Sequence, residues 1–149
     1  MRSPGILIAA LAIATFVAAT PPDSAVIVNS GSTNAYGYKI EVSSDGRGTS
    51  NLQNRDGSAA STPKPFTLPA ATASRFFADL AAARKETAVT VACMKSVSFG
   101  STMRVTWQDW TSSDLTCPAK DSIGEALIKD VDEIRQASGI PESLLRSSP

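Results

Sequence analysis

The chain has 149 residues, balances 14 Lys+Arg against 14 Asp+Glu, and contains no His and 2 Cys. That length suits one small globular domain, and the zero formal charge argues against the basic footprint of a nucleic-acid-binding protein. The absence of His removes the commonest general base and metal ligand at neutral pH.

Arg2 is followed by an apolar run at residues 6–19 (ILIAALAIATFVAA), in which Thr15 is the only polar residue. The run is shorter than the ~20 apolar residues of a spanning helix, and Pro21-Pro22-Asp23 stops it. Val17-Ala18-Ala19 offers the small side chains that a signal peptidase reads. Residues 1–19 are therefore expected to be a cleaved export signal, and residues 20–149 a single periplasmic or secreted domain with no membrane attachment after cleavage. No Cys lies near the expected cleavage site, so no bacterial lipid anchor is expected, and the short signal, the small-residue cleavage site and the absence of an N-x-S/T sequon fit bacterial export. In an oxidising compartment Cys93 and Cys117 are expected to pair.

In chain order, residues 25–29 (AVIVN) have strand length. Tyr36, Tyr38, Ile40 and Val42 then alternate with Gly37, Lys39 and Glu41, the period of a strand with one wet face. Asp45-Gly46 is hairpin-turn chemistry, and residues 49–53 form a weak third strand. Residues 54–65 read as a loop rich in Ser, Ala, Gly and Pro. After Thr67-Leu68-Pro69, the spacing of Ala73, Phe76, Phe77 and Leu80 predicts an amphipathic helix fading near Arg84-Lys85. A strand is expected over residues 87–94 through Val89 and Val91. Val97, Phe99, Met103, Val105 and Trp107 share one parity of the clearest strand, opposite Arg104 and Thr106. Gln108-Asp109 turns it into a short return at Trp110-Thr111. The last helix carries a capping box at Ser122 and Glu125. Ile123, Leu127, Val131 and Ile134 form its apolar face, and Lys129, Asp130, Asp132, Glu133 and Arg135 the polar one. Gly139 and Ile140 end it as a left-handed cap with its hydrophobic contact, and a further helical turn is expected at residues 142–145.

The order ββ(β)αββ(β)α implies an α+β fold: two layers, with an antiparallel sheet of about 4–6 strands and two helices on one face. The helices should cover the Tyr36/Val105 side and leave the Lys39/Arg104 side to solvent. Repeated Gly-Ser-Thr (residues 31–33 and 100–102) and Thr-x-Pro (67–69 and 116–118) raise the idea of a duplicated ββα unit.

Residues 93–100 (CMKSVSFG), 113–118 (SDLTCP) and 76–80 (FFADL) resemble segments of small exported bacterial proteins of unknown function. That resemblance implies a disulfide between Cys93 and Cys117. The element order is also similar to that of emfourin-like proteins, small partners of thermolysin-type metallopeptidases, which implies a peptidase as the partner.

Catalytic candidates are few. Ser61-Thr62-Pro63-Lys64 matches the S-x-x-K nucleophile motif, but Pro65 disfavours the helix that brings Ser and Lys together. Asp109 and Asp114 flank Trp110 and offer a carboxylate pair beside a sugar-stacking ring. Lys95 and Ser96 are adjacent, so in a strand they point to opposite faces. Asp45-Gly46-Arg47-Gly48 lacks the acidic positions of a calcium loop. The expectation is a binding module without cofactor or metal, acting on a protein partner through Trp110, Arg104 and Lys39. The alternative is a small cell-wall or glycan hydrolase using Asp109, Asp114 or a Ser.

Overall fold

A computed structural model describes residues 22–96 and 100–141. The expected export signal, the expected strand positions Val97 and Phe99, and the helical turn expected at 142–145 lie outside the described residues. Six strands and two helices form: β1 (Ser24–Asn29), β2 (Gly37–Ser43), β3 (Arg47–Gln53), β4 (Lys64–Thr67), α1 (Ala70–Ala83), β5 (Met103–Trp107), β6 (Trp110–Thr111) and α2 (Ser122–Ala137). They make one antiparallel sheet in the order β4-β3-β2-β1-β5-β6, an α+β architecture.

Period-two patterning sets the two faces of this sheet. Ile27 of β1 lies opposite Ile40 of β2 and Val105 of β5, and all three are fully buried. Phe76 and Leu80 of α1 and Leu127, Val131 and Ile134 of α2 complete the core, so both helices cover the same face. Each such side chain contributes about 1.5–3 kcal/mol when withdrawn from water. Ser50 is a polar intruder on the buried side of β3, and its hydroxyl donates to the Ser138 carbonyl at the end of α2, 3.0 Å away. The pairing satisfies two groups that burial would otherwise leave without water.

The turns follow local chemistry. Gly46 has φ 85°, and its carbonyl accepts the Leu68 N–H. A Cβ there would stand 2.7 Å from the Leu68 carbonyl oxygen, so the β2–β3 turn requires glycine twice over, for conformation and for space. Gly139 takes φ 73° just past α2, and Ile140 folds back into the core as expected.

Four expectations are corrected. Residues 87–94 do not form a strand: Val89 is buried but Val91 is exposed, and regular pairing is confined to a single bridge between Thr90 and Ala119. The Val89 and Thr90 N–H groups donate to the Ser113 hydroxyl instead of to a neighbouring strand. Conversely, β4 lies in what reads as loop and helix approach. It tolerates Pro65 because it is an edge strand, where one side of the ladder is unused. Tyr36 is not covered by the helices; a narrow turn bridged between Ser32 and Ala35 precedes β2 and leaves Tyr36 outside the sheet, about half exposed. Asp121, not Ser122, caps α2: its Oδ1 accepts from the N–H groups of Ile123 and Gly124 at 3.0 and 3.1 Å. A carboxylate is the stronger acceptor for these unpaired N–H groups and carries the charge favoured at a helix N-terminus. Among the described residues four strands precede α1 and two lie between α1 and α2, an uneven division that lends the idea of a duplicated ββα unit no support.

Candidate functional site

The face of the sheet turned away from the helices is open among the described residues. Its central row runs Asn51, Lys39, Val28, Arg104 across β3, β2, β1 and β5. The next row runs Thr49, Glu41, Val26, Thr106 and Thr111. Lys39 and Arg104 thus flank Val28 at two inter-strand steps, about 10 Å apart at the backbone. Val28 is 37% exposed, an aliphatic side chain between two cations. Lys39 forms an ion pair with Glu41 at 2.5 Å on the same strand face. Arg104 donates from Nη1 to the Ser112 carbonyl at 2.9 Å.

Trp110 does not join this face. It lies directly opposite Trp107, so both side chains are on the helix side, where Trp110 is half-buried against the core. Residue parity across a two-residue turn decides this, and Trp107 has core parity already. Trp107 closes the sheet edge: Phe77 meets it edge to face with centroids 6.2 Å apart, the Arg84 guanidinium lies 5.9 Å over its ring, and its indole N–H donates to Asp23 Oδ2 at 2.7 Å.

Beyond β6, residues 112–117 pair with β5 through side chains. The Ser112 hydroxyl accepts the Val105 N–H at 3.0 Å, and Asp114 Oδ1 accepts the Met103 N–H at 3.0 Å. Because the Ser112 hydroxyl takes this N–H, the Ser112 carbonyl is left to receive Arg104. Asp114 also accepts from the Thr116 N–H and hydroxyl and pairs with the Lys95 ammonium, which reaches the Thr116 hydroxyl as well. Burial pushes the Asp114 carboxyl up, but these donors outweigh it and hold it down at about 2. Beside this cluster the Cys93–Cys117 disulfide, with Cα atoms 5.5 Å apart, ties residues 88–93 to the loop. Closing a span of this length contributes about 3–4 kcal/mol by the chain-entropy estimate.

The carboxylate pair proposed for hydrolysis is dispersed. Asp109 sits at the hairpin turn in an ion pair with Arg84, whereas Asp114 sits at the opposite end of β5. The length of β5 separates them by about 13 Å, beyond the 5–9.5 Å or so across which two carboxyls act on one glycosidic bond. The Ser61 hydroxyl accepts the Leu52 N–H, and Lys64 lies in an extended strand, so they do not form the helical Ser/Lys pair of S-x-x-K. Among the described residues no group of three or more Asp, Glu or Cys is placed to hold a metal ion.

One ionisable cluster escapes a reading by residue class. Asp130, assigned to the polar face of α2, is 1% exposed; its Oδ1 accepts from Arg75 Nε at 2.7 Å and its Oδ2 has no hydrogen-bond partner among the described residues. Its position three residues after Leu127 and four before Ile134 is itself a core spacing, the signal that places it inside.

Compared with known proteins, the chain matches no family model, no curated protein and no solved structure. No helix among the described residues is long and apolar enough to cross a membrane.

Proposed function

We propose that this chain is an exported binding module that docks a protein partner on the open face of its sheet. The observation that carries this reading is the row Lys39–Val28–Arg104 on paired strands, exposed on a rigid sheet whose other face is filled by helices. An apolar side chain between an arginine and the Lys39–Glu41 ion pair offers both area and charge to a partner. The edges of the sheet are poor docking sites by comparison. β4 carries Lys64 and Pro65, which blunt strand addition, and β6 is only two residues long. The disulfide and the apolar N-terminal run support an extracytoplasmic setting, periplasmic or secreted, after removal of residues 1–19. A peptidase is the partner class to which the likeness in element order points.

The test is affinity capture from the native envelope and secreted fractions with wild type, Val28→Asp and Lys39→Glu. Wild type should retain one stoichiometric protein that both variants lose while keeping wild-type thermal melts. Retention of the same protein by both folded variants would remove the face from the binding site. Turnover of glycan or peptide libraries by the purified domain would instead favour an enzyme.

A further inference from the structure

The open face ends in a cleft where β5 meets the disulfide loop. The cleft has a volume of about 380 Å³ and is lined by Thr90, Val91, Cys93, Arg104, Ser113 and Cys117, among others. We propose that this cleft is a carboxylate-binding pocket that receives an acidic side chain of the partner polypeptide, with Arg104 as the ion-pairing group. The proposal rests on the binding-module reading for its partner, but not for its chemistry.

The first argument is charge. Arg47, Arg75, Arg84 and Arg135 each hold a carboxylate of this chain: Asp45, Asp130 with Glu133, Asp109 and Asp132 respectively. Arg104 holds none among the described residues. It differs from Arg55, which is also without an ion pair, in standing on a strand and being fixed by the Ser112 carbonyl. Its remaining N–H groups keep the planar fork that matches a carboxylate. The acid already in the cleft, Asp114, does not answer this charge, because its oxygens are committed to Lys95, the Met103 N–H and Thr116. Lys95 and Asp114 cancel, and the guanidinium is left in excess.

The second argument is the wall. Val91 is 47% exposed beside the disulfide, an apolar surface suited to the methylenes of Glu. The Ser113 and Thr90 hydroxyls, joined at 2.8 Å, add polar rim. The disulfide holds this wall in place before binding, so little ordering entropy opposes capture.

The experiment titrates the purified protein with Ac-Ala-Glu-Ala-NH2, its Gln analogue, and Ac-Ala-Ala-OH, read by amide and Arg Nε–H shifts in NMR. The Glu peptide should bind saturably in roughly the millimolar range and about tenfold or more tighter than the Gln peptide. Shifts should fall at residues 90–93, 104 and 113. Arg104→Gln should abolish the difference, and Arg104→Lys should restore part of it, because a point charge replaces the fork. Equal binding of Glu and Gln peptides, no binding by either, or an unchanged Arg104→Gln titration would overturn the pocket. Tighter binding of Ac-Ala-Ala-OH would overturn the side-chain assignment in favour of a chain terminus. If the Glu peptide binds while no partner is captured, the module reading fails and the pocket stands. If Val28→Asp loses a partner while the peptides do not bind, the reverse holds.

Discussion

Asp130 and Asp114 are both drawn away from water, yet the protein treats them in opposite ways. Asp130 lies between α1 and α2, where burial is the main influence and raises its carboxyl above the ordinary range; Arg75 opposes this and the nearby Asp79 carboxyl adds to it. Asp114 lies in the disulfide loop, where burial also acts upward but an ammonium, two backbone N–H groups and a hydroxyl bring it to about 2. Asp130 is also the deeper of the two, its side chain 2% exposed against 15% for Asp114; greater depth with fewer donors raises a carboxyl, and more donors at a shallower position lower it. Asp114 is an anchor with both oxygens satisfied, whereas Asp130 has one guanidinium, one orphan oxygen and a like-charged neighbour.

The largest expected effect comes from removing the covalent frame around Asp114. Cys117→Ser should cost about 2–5 kcal/mol in chemical denaturation, and adding Cys93→Ser should cost little more, since both changes remove the same bridge. Additive losses would mean that the thiols act separately.

Next, Arg75→Met removes the one cation at Asp130 and leaves a buried charge unpaired, at a cost of about 3 kcal/mol near neutral pH. The cost should shrink in acid, where the carboxyl takes up a proton. A loss independent of pH would mean that Arg75 acts through packing alone.

Asp114→Asn should cost about 1.5–3 kcal/mol, the range for hydrogen bonds to a charged group, and its pH profile should mirror that of Asp130→Asn. Asp114 titrates below its ordinary 3.8 in the folded state, so its contribution is present above that value and lost as pH falls from about 4 through 2. Asp130 titrates above its ordinary 3.8, so its contribution is present below that value and lost as pH rises through its folded value. Melts from acid to neutral pH on wild type and the two Asn variants should therefore show Asp114→Asn flattening the acid limb and Asp130→Asn flattening the opposite one. Identical profiles for the two variants would erase the contrast.

The smallest expected effect is that of Arg104→Gln, within about 0.5 kcal/mol of wild-type stability, because the residue is exposed and its hydrogen bond among the described residues goes to a loop carbonyl. A loss comparable to that of Asp114→Asn would make Arg104 part of the anchor instead of the docking face.

Much of this arrangement is legible from residue order. Tyr38, Ile40 and Val42 announce a strand with one buried face, and Lys39 and Glu41 its wet side, because alternation follows from backbone geometry alone. The Ala73, Phe76, Leu80 and Leu127, Val131, Ile134 stripes do the same for the helices, and Gly46 and Gly139 mark conformations that other residues resist. The site is less legible. Lys39 and Arg104 are readable as solvent-facing, but their meeting across Val28 depends on β5 pairing with β1, a contact between segments far apart in sequence. Trp110 looks like a free contact residue until its place opposite Trp107 is known.

The order of residues is enough for β1, β2, both helices with their apolar faces and the special turns, all of which depend on neighbours within a few positions, and it makes a pair of cysteines expected. Tertiary structure decided the rest. Residues 87–94 carry strand-like alternation but form no strand, because a strand is a relation between two backbones and Ser113 takes the N–H groups that a neighbour would need. Asp114 became an anchor and Asp130 a buried, singly paired acid only when Lys95 and Arg75 arrived from other elements. An aspartate has one intrinsic acidity, and only its folded surroundings set which charges and donors it meets.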